Sequence, residues 1–359
     1  MIDNNTKNRQ SNIELLRIIA IIGVIVLHFN NPSIGGGFGL VEQGSVNFFI
    51  LYVLESCFII AVNLFIMISG YFLITNNKRN LWRPIELIFQ VMFFSFCKYI
   101  INGHIAGNIE GKGIIRSLVP DNYFIILYIT LYIVSPYINI LIMNLNELNR
   151  KRFIVTLLLA FAIYPTAVDL LSEITKQQFV ELSSIGMYGS QWGYSIVNFV
   201  LCYIIGAYIF IYKDKLLKFK TSRLLVAFFI NVCILTAWSL FNDATGYFST
   251  KSALEYCNPL IILNAVIVFI VFSKLKFNSK VVNELASATL TVFLCHSLFI
   301  RREVTKAFVV KGPFQMMASI LGYAAFLYVL LYLVNKVYLV LKKIIFGKLE
   351  KKYNLMREY

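Results

Sequence analysis

Apolar blocks recur along the whole of this 359-residue chain, and most are about twenty residues long, which is enough to cross a bilayer as a helix. The composition supports the same interpretation, because 58% of the residues are hydrophobic and only 14% are charged, whereas soluble domains are roughly 25% charged. Inside a bilayer every backbone N–H and C=O group needs an internal partner, and a helix supplies one. The sequence therefore predicts an all-α, polytopic integral membrane protein.

The hydropathy pattern predicts ten spans joined by short connections. They cover residues 13–30, 47–75, 81–101, 122–143, 152–171, 192–212, 223–241, 255–273, 282–300 and 314–341. The second span is longer than a bilayer requires, so we expect it to tilt or to project beyond the membrane. No loop is long enough to form a separate domain. We therefore predict one membrane domain over residues 1–359, with its core at 12–345 and short tails at 1–11 and 346–359.

The basic residues are unequally divided between the two sides of the predicted spans. Of the 33 lysines and arginines, 23 lie on the side of the two termini and eight on the opposite side. Cytoplasmic segments carry such an excess, so both termini are predicted to be cytoplasmic, in a multi-pass protein of the plasma membrane. The loop 301–311, with four outward-facing cations, is an exception. The net charge of +15 does not indicate nucleic-acid binding, because the cations form short clusters between apolar blocks.

The six cysteines all lie in apolar blocks, where thiols pack between helices. Neither a CxxC nor an HExxH pattern occurs in the chain. We therefore predict neither a disulfide framework nor a metal site. Any chemistry must then come from the few polar side chains inside the spans.

Two of these polar side chains, Arg17 and His28, flank ten uninterrupted apolar residues in the first span. Eleven positions make about three helical turns, so the two side chains share one helix face, about 16 Å apart along the axis. His28 is either an interfacial histidine or a general base that takes a proton from a hydroxyl. Arg17 either extends to the lipid headgroups or holds a phosphate that approaches from the cytosol.

Glu55 lies inside the second span, about two turns from its outer end. If the first two spans are antiparallel neighbours, Glu55 lies at the same depth as His28. It then either orients the imidazole, as a carboxylate does in a catalytic dyad, or is a structural partner of Lys98 or of a tyrosine hydroxyl.

Further candidates lie at the ends of other spans. Arg79 and Arg83 are spaced i, i+4 at the start of the third span and are expected to share a face. They are either ordinary cytoplasmic cations or a pair that binds phosphates. Ser69, which a glycine follows in the second span, suits close helix packing. His296 and Arg301 close the ninth span at its outer end, where an interfacial position is expected.

Five sequence blocks, in order along the chain, resemble the membrane-bound acyltransferase-3 family. They are the Arg-x10-His arrangement of the first span, VNLFIMISGYFL (62–73), YFIILYITLYIVSPYIN (123–139), IIGAYI (204–209) and TLTVFLCHSLFIRR (289–302). Members of this family often O-acetylate surface polysaccharides. The blocks extend from the first span to the ninth, so the resemblance covers nearly the whole chain.

The resemblance implies an O-acetyltransferase that uses cytosolic acetyl-CoA as its acyl donor. The acceptor would be a hydroxyl of a cell-surface polysaccharide or of its lipid-linked precursor. His28 would be central to the transfer. From its position in the second span, and not from the resemblance, Glu55 is our candidate for the catalytic group that steadies the imidazolium of His28. The residues expected to contact the coenzyme are Arg17, Arg79 and Arg83.

The chain departs from the family pattern at two positions. Members commonly show Arg-x-x-Arg at the start of the third span, whereas here Asn80 stands three residues before Arg83. Asn63 stands where many members carry an acidic residue, so a carboxylate function is lost there. The residues that we assign to substrate binding are Asn63, Ser69, His296 and Arg301.

Two mechanisms and two other functions remain open from the sequence. His28 either deprotonates a sugar hydroxyl that attacks the thioester directly or forms an acetyl-histidine intermediate. A second function is a transporter or flippase for a glycan or a lipid-linked intermediate; against it, we find neither inverted-repeat hydropathy nor a pair of broken spans. A third function is a polysaccharide polymerase, for which we expect a large basic outer loop, and the outer loops of this chain are short and sparsely charged.

Overall fold

The computed structural model describes residues 9–177, 179, 193–246 and 250–356, and all regular structure within them is helical. Eight of the described segments are long and apolar enough to cross a membrane, namely Ser11–Asn30, Val46–Leu73, Trp82–Ile105, Tyr123–Asn144, Glu147–Thr175, Thr221–Thr245, Lys280–Leu298 and Pro313–Gly347. Two shorter apolar helices, Ile196–Ile211 and Pro259–Ser273, stand at the positions of the sixth and eighth predicted spans. The predicted class, an all-α polytopic membrane protein, is confirmed.

The helices are numbered in chain order. Their bounds are α1 Ser11–Asn30, α2 Val46–Phe58, α3 Ala61–Leu73, α4 Trp82–Ala106, α5 Gly111–Ser117, α6 Tyr123–Asn144, α7 Glu147–Leu158, α8 Tyr164–Thr175, α9 Ile196–Ile211, α10 Lys213–Leu216, α11 Thr221–Thr245, α12 Thr250–Ala253, α13 Pro259–Ser273, α14 Lys280–Leu285, α15 Thr289–Cys295, α16 Arg302–Val309 and α17 Pro313–Met356. A π-helical turn, Leu159–Ile163, joins α7 to α8. The last helix, α17, is 44 residues long and continues into the predicted C-terminal tail.

The second predicted span is broken into two helices. α2 ends at Phe58, and α3 begins at Ala61. The two helices together form one apolar segment of 28 residues, Val46–Leu73, so the second span is long, as predicted, with a turn inside it. The sequence around the break is apolar throughout and holds neither proline nor glycine, which are the usual signals for a kink.

The ninth predicted span is broken as well. It consists of α14, a 3₁₀ turn at Ala286–Ala288, α15, and a second 3₁₀ turn at His296–Leu298. Together with the second span it makes a pair of broken spans, so the expectation that the chain has no such pair was wrong. Short 3₁₀ turns barely change the spacing of apolar residues, and hydropathy therefore does not reveal them.

The first helix, α1, is buried along most of its length. It packs against α2, α3, α13, α14, α15 and α17. One of its sides joins an apolar cluster with α3, α9 and α13, to which Val24 belongs. Its other side joins a second cluster with α15 and α17, to which Ile25 belongs. Because α1 lies between two cores, any polar side chain on it must meet a partner or a cavity.

The helices α3 and α9 cross at very short distance through two glycines. A Cβ atom on Gly206 would lie 2.0 Å from the carbonyl oxygen of Met67, and one on Gly70 would lie 2.0 Å from that of Tyr203. No side chain can occupy either position without moving a backbone, so the crossing requires glycine on both helices. This explains the Ser-Gly sequence in the second span as close helix packing, which is the packing role predicted for Ser69 and its neighbour.

We expect Gly206→Ala to lower the free energy of unfolding by about 1–3 kcal/mol, since overpacking forces the two backbones apart. The matched control is Gly322→Ala on α17, where a Cβ atom would meet no other atom within 4 Å. Thermal unfolding of the purified protein in detergent measures both variants. An equal effect of the two substitutions would contradict the close crossing.

Candidate active site

Two cavities lie beside α1. The first, named here the histidine cavity, has a volume of about 500 Å³. Its charged and imidazole side chains are those of His28, Glu55, Lys98, Asp121 and His296. The second, named the arginine cavity, has a volume of about 340 Å³. Its charged side chains are those of Arg9, Arg17 and Arg83.

Three apolar side chains, Val24, Val62 and Phe293, line both cavities. The two cavities therefore adjoin at this apolar junction. Val24 follows Arg17 by two helical turns and precedes His28 by about one turn, so one face of α1 passes from the arginine cavity, across the junction, to the histidine cavity.

His28 is in direct contact with a second histidine. Its Nδ1 lies 2.5 Å from Nε2 of His296, and Nδ1 of His296 lies 2.8 Å from the carbonyl oxygen of Val292. His296 is only 1% exposed. This corrects the interfacial position expected for it, because its ring packs against His28 of α1 inside the protein. The two imidazoles place titratable nitrogen atoms in the cavity wall.

Glu55 lines the same cavity as His28, yet its carboxylate has a different hydrogen-bond partner among the described residues. Asn30 donates from Nδ2 to Oε2 of Glu55 at 2.7 Å and to the backbone carbonyl of Leu51 at 3.3 Å. The partners considered from the sequence were the imidazole of His28, Lys98 and a tyrosine hydroxyl, and Glu55 bonds to none of them among the described contacts. Asn30, two residues after His28 on α1, therefore holds the carboxylate of Glu55.

Lys98 brings a positive charge into the histidine cavity. It lies on α4, and its Nζ donates to Oγ of Ser297 at 3.0 Å. Both residues line the cavity, and among the described residues Lys98 forms no salt bridge. From the sequence, Lys98 was expected only as a partner for Glu55 and not as part of the site. The sequence could have revealed this role of Lys98, because a lysine inside an apolar span is rare and usually functional.

Aromatic rings form part of the wall of the histidine cavity. The rings of Tyr123 and Tyr194 are 4.8 Å apart, as are those of Tyr194 and Tyr256. Asp121 and Asn122 line the cavity beside them. The phenol hydroxyls of these tyrosines can each donate and accept a hydrogen bond. Such a wall offers apolar ring faces together with hydrogen-bonding groups, which suits a ligand with both kinds of surface.

The arginine cavity holds two cations that share one carboxylate. Arg17 lies 3.4 Å and Arg9 lies 3.6 Å from carboxylate oxygens of Glu14. Arg83, in the first turn of α4, is exposed, and its side chain has neither a hydrogen bond nor an ion pair with the described part of the chain. Three guanidinium groups against one carboxylate leave this cavity strongly positive, and it therefore favours an anionic ligand.

Arg79 does not belong to this cavity, and it does not share a helix face with Arg83. α4 begins only at Trp82, so Arg79 lies in the preceding loop. Pro136 interrupts α6 and leaves the carbonyl of Tyr132 without its helical donor. Arg79 donates to that carbonyl at 3.2 Å, and to Oγ of Ser135 at 2.9 Å from Nε and 2.7 Å from Nη2. The Ser-Pro block is therefore part of a structural clamp.

The other predicted binding residues lie apart from the histidine pair. Asn63 is buried and donates from Nδ2 to the carbonyl of Tyr256 at 2.8 Å. Its own Oδ1 accepts a hydrogen bond from Asn198 at 3.2 Å. Ser69 donates to its own helix at Phe65 and lines the arginine cavity. Arg301 is exposed just before α16 and lines neither cavity. Of the four residues assigned to substrate binding, only His296 lines the histidine cavity.

The family of the chain follows from a comparison with protein-family models. A model described as an acyltransferase domain, that of the acyltransferase-3 family, matches residues 10–334. This range covers nearly the whole chain and the entire histidine cavity, so the protein belongs to this family and is a membrane acyltransferase. Comparison with curated proteins and with solved structures gave no match.

We expect Arg79→Ala to lower the free energy of unfolding by about 3 kcal/mol, because hydrogen bonds to a charged group contribute about 1.5–3 kcal/mol each. Arg83→Ala should change it by less than about 0.5 kcal/mol, as is usual for an exposed side chain. The midpoint of thermal unfolding measures the difference. If both variants were equally stable, the structural role of Arg79 would be wrong.

Proposed function

We propose that this protein is an O-acyltransferase that moves an acetyl group from acetyl-CoA to a hydroxyl of a cell-surface polysaccharide or of its lipid-linked precursor. In this proposal the chain lies in the plasma membrane, the arginine cavity opens to the cytosol and the histidine cavity faces outward. Two observations support it: the family of the chain and the excess of lysine and arginine on the side of both termini.

The observation that carries the proposal is the apolar junction at which the two cavities meet. Acetyl-CoA is too highly charged to cross a bilayer, but its pantetheine arm is long and thin. The arm could pass Val24, Val62 and Phe293 while the phosphates stay behind in the arginine cavity. The distance along α1 between Arg17 and His28, about 16 Å, is within reach of such an arm.

The donor's phosphates would be held by Arg17 and Arg83, with Arg9 beside them. Arg83 is the strongest candidate, because its guanidinium group has no partner within the described residues, whereas those of Arg17 and Arg9 share Glu14. Arg79, which the sequence analysis also assigned to the coenzyme, is excluded from this proposal because its donors are engaged by α6.

The chemical step needs a base and a group that stabilises negative charge. His28 removes the proton of the acceptor hydroxyl, and the hydroxyl oxygen forms a bond to the thioester carbon. The carbon–sulfur bond then breaks, and the coenzyme leaves as a thiolate that takes the proton back from the imidazolium. The ammonium group of Lys98 would stabilise the oxyanion of the tetrahedral intermediate. The tyrosine wall would hold the sugar ring of the acceptor.

A second candidate function is a transporter or flippase for a glycan or lipid-linked intermediate. The pair of broken spans favours it, because interrupted helices line substrate sites in many transporters. The two adjoining cavities would then form a translocation path, and His28 would bind substrate instead of removing a proton from it.

Substitution of His28 distinguishes the two functions. In the native host, His28→Ala should reduce ester-linked acetate on surface glycan by about 10²-fold or more, because the base is lost. The matched control is His104→Ala, a histidine that lines neither cavity. Membrane levels of both variants are checked by immunoblot, and acetate is measured after mild alkaline release. Unchanged acetate together with a fall in the amount of glycan would reject the acyltransferase and support the transporter.

The junction gives a second test of the same function. Val24→Phe should fill the space between the cavities, so acetyl-CoA binding should persist while acetyl transfer falls by about 10²-fold, as expected for a misplaced reacting group. The control is Val226→Phe on α11, where the side chain is 58% exposed on the protein surface. Binding is measured by calorimetry, and transfer by release of the coenzyme thiol. Normal transfer in the Val24 variant would mean that the acyl arm does not pass the junction.

A further inference from the structure

Both ring nitrogens of His296 have partners, and this determines where the hydrogens lie. A carbonyl oxygen can only accept a hydrogen bond, so Nδ1 of His296, 2.8 Å from the carbonyl of Val292, must carry a hydrogen. A neutral imidazole has one such hydrogen, and Nε2 of His296 is therefore an acceptor. Its contact at 2.5 Å requires a donor, which is Nδ1 of His28. Nε2 of His28 is left with a free lone pair.

The ring geometry supports a hydrogen bond in preference to face-to-face stacking. The planes of His28 and His296 differ by only 20°, and their centroids are 4.6 Å apart. The centroid–centroid distance exceeds the distance between the two bonded nitrogens by about 2 Å. This difference is close to the sum of the two distances from a ring centroid to its own nitrogen. The rings therefore meet edge to edge in nearly one plane. N–H bonds and nitrogen lone pairs lie in the ring plane, so this orientation directs one at the other.

The charges around the pair keep its resting state neutral. Lys98 on α4 is bonded to Ser297, the residue after His296, and so places a cation close to both rings. An additional proton on a buried imidazole beside an ammonium group is unfavourable. The carboxylates of the cavity, Glu55 on α2 and Asp121 before α6, form no hydrogen bond with either histidine among the described contacts.

We infer that His296 is a positioning residue that accepts the Nδ1 hydrogen of His28 and so directs the unprotonated Nε2 of His28 into the histidine cavity. When that Nε2 takes a proton from the acceptor hydroxyl, the bond between the rings becomes charge-assisted and stronger. His296 thus does for His28 what a carboxylate does in a Ser-His-Asp triad. The inference rests on the proposed function for the identity of the reaction, but the assignment of the hydrogens does not depend on it.

The hydrogen positions can be tested without any activity. The chain has three histidines, so uniform ¹⁵N-histidine labelling of the full-length protein in lipid bilayers gives few signals, and His104→Gln removes those of the third. We expect Nδ1 to be protonated and Nε2 unprotonated in both His28 and His296. A hydrogen on Nε2 of His28 in the resting protein would overturn the inference, whatever the enzyme does.

The effect on catalysis is tested with two substitutions of His296. His296→Gln keeps an acceptor for His28 and a donor for Val292, so its kcat should stay within about tenfold of the wild type. His296→Leu, similar in size but without either group, should lower kcat by about 10²–10⁴-fold with an unchanged KM for acetyl-CoA. A role limited to packing predicts the opposite order, with Leu tolerated better than Gln.

Chemical rescue separates positioning from folding. His296→Ala leaves a space of about one ring, and added imidazole, which can both accept and donate, should restore activity. Pyrrole has a ring of the same size and donates, but it has no acceptor nitrogen, and it should not restore activity. Rescue by both compounds, or by neither in a variant with normal thermal unfolding, would overturn the inference. If the wild type itself releases no coenzyme thiol, the proposed function is wrong, and the ¹⁵N experiment still decides the role of His296.

Discussion

A polar group in the apolar interior of a membrane protein needs a partner or a cavity, and this requirement organises the structure around α1. The helix is enclosed by two apolar cores, yet it carries polar side chains at both of its ends. At one end Glu14 lies between two arginines. At the other end His28 meets His296, and Asn30 meets Glu55. The two contacts at the second end join α1 to the ninth span and to α2, so the interactions that satisfy these polar groups also hold the helices together.

The broken spans follow from the same requirement. In the ninth span the 3₁₀ turn begins at His296, whose backbone N–H still bonds to the carbonyl of Val292 as in an α-helix and whose ring meets His28 of α1. The break between α2 and α3 separates Glu55 from Asn63, so that one lines the histidine cavity and the other joins a buried amide network. Irregular backbone at membrane depth is tolerated where it lines a cavity or is buried in protein.

The sequence predicted those features that depend on helix periodicity and apolar length. The all-α class follows from apolar length, and the common face of Arg17 and His28 follows from eleven residues of helical spacing. The contacts between helices could not be predicted in this way. His296 was expected at an interface because it ends an apolar block, and its burial depends on the packing of α15 against α1, which hydropathy does not reveal. Arg79 was paired with Arg83 because helical spacing was extended to a residue before the start of α4, and because the carbonyl freed by Pro136 was not considered.

The choice of a second imidazole over a carboxylate as the partner of His28 has an electrostatic consequence. A carboxylate at position 296 would lie next to Ser297, and therefore close to the ammonium group of Lys98. The two opposite charges would pair in a medium of low dielectric constant, and the lysine would no longer be available to a developing oxyanion. A neutral imidazole avoids this pairing. It still accepts the Nδ1 hydrogen of His28, and it leaves the positive charge of Lys98 free within the cavity. In the proposed reaction the histidine pair therefore supplies the base while Lys98 supplies the charge, and neither function weakens the other.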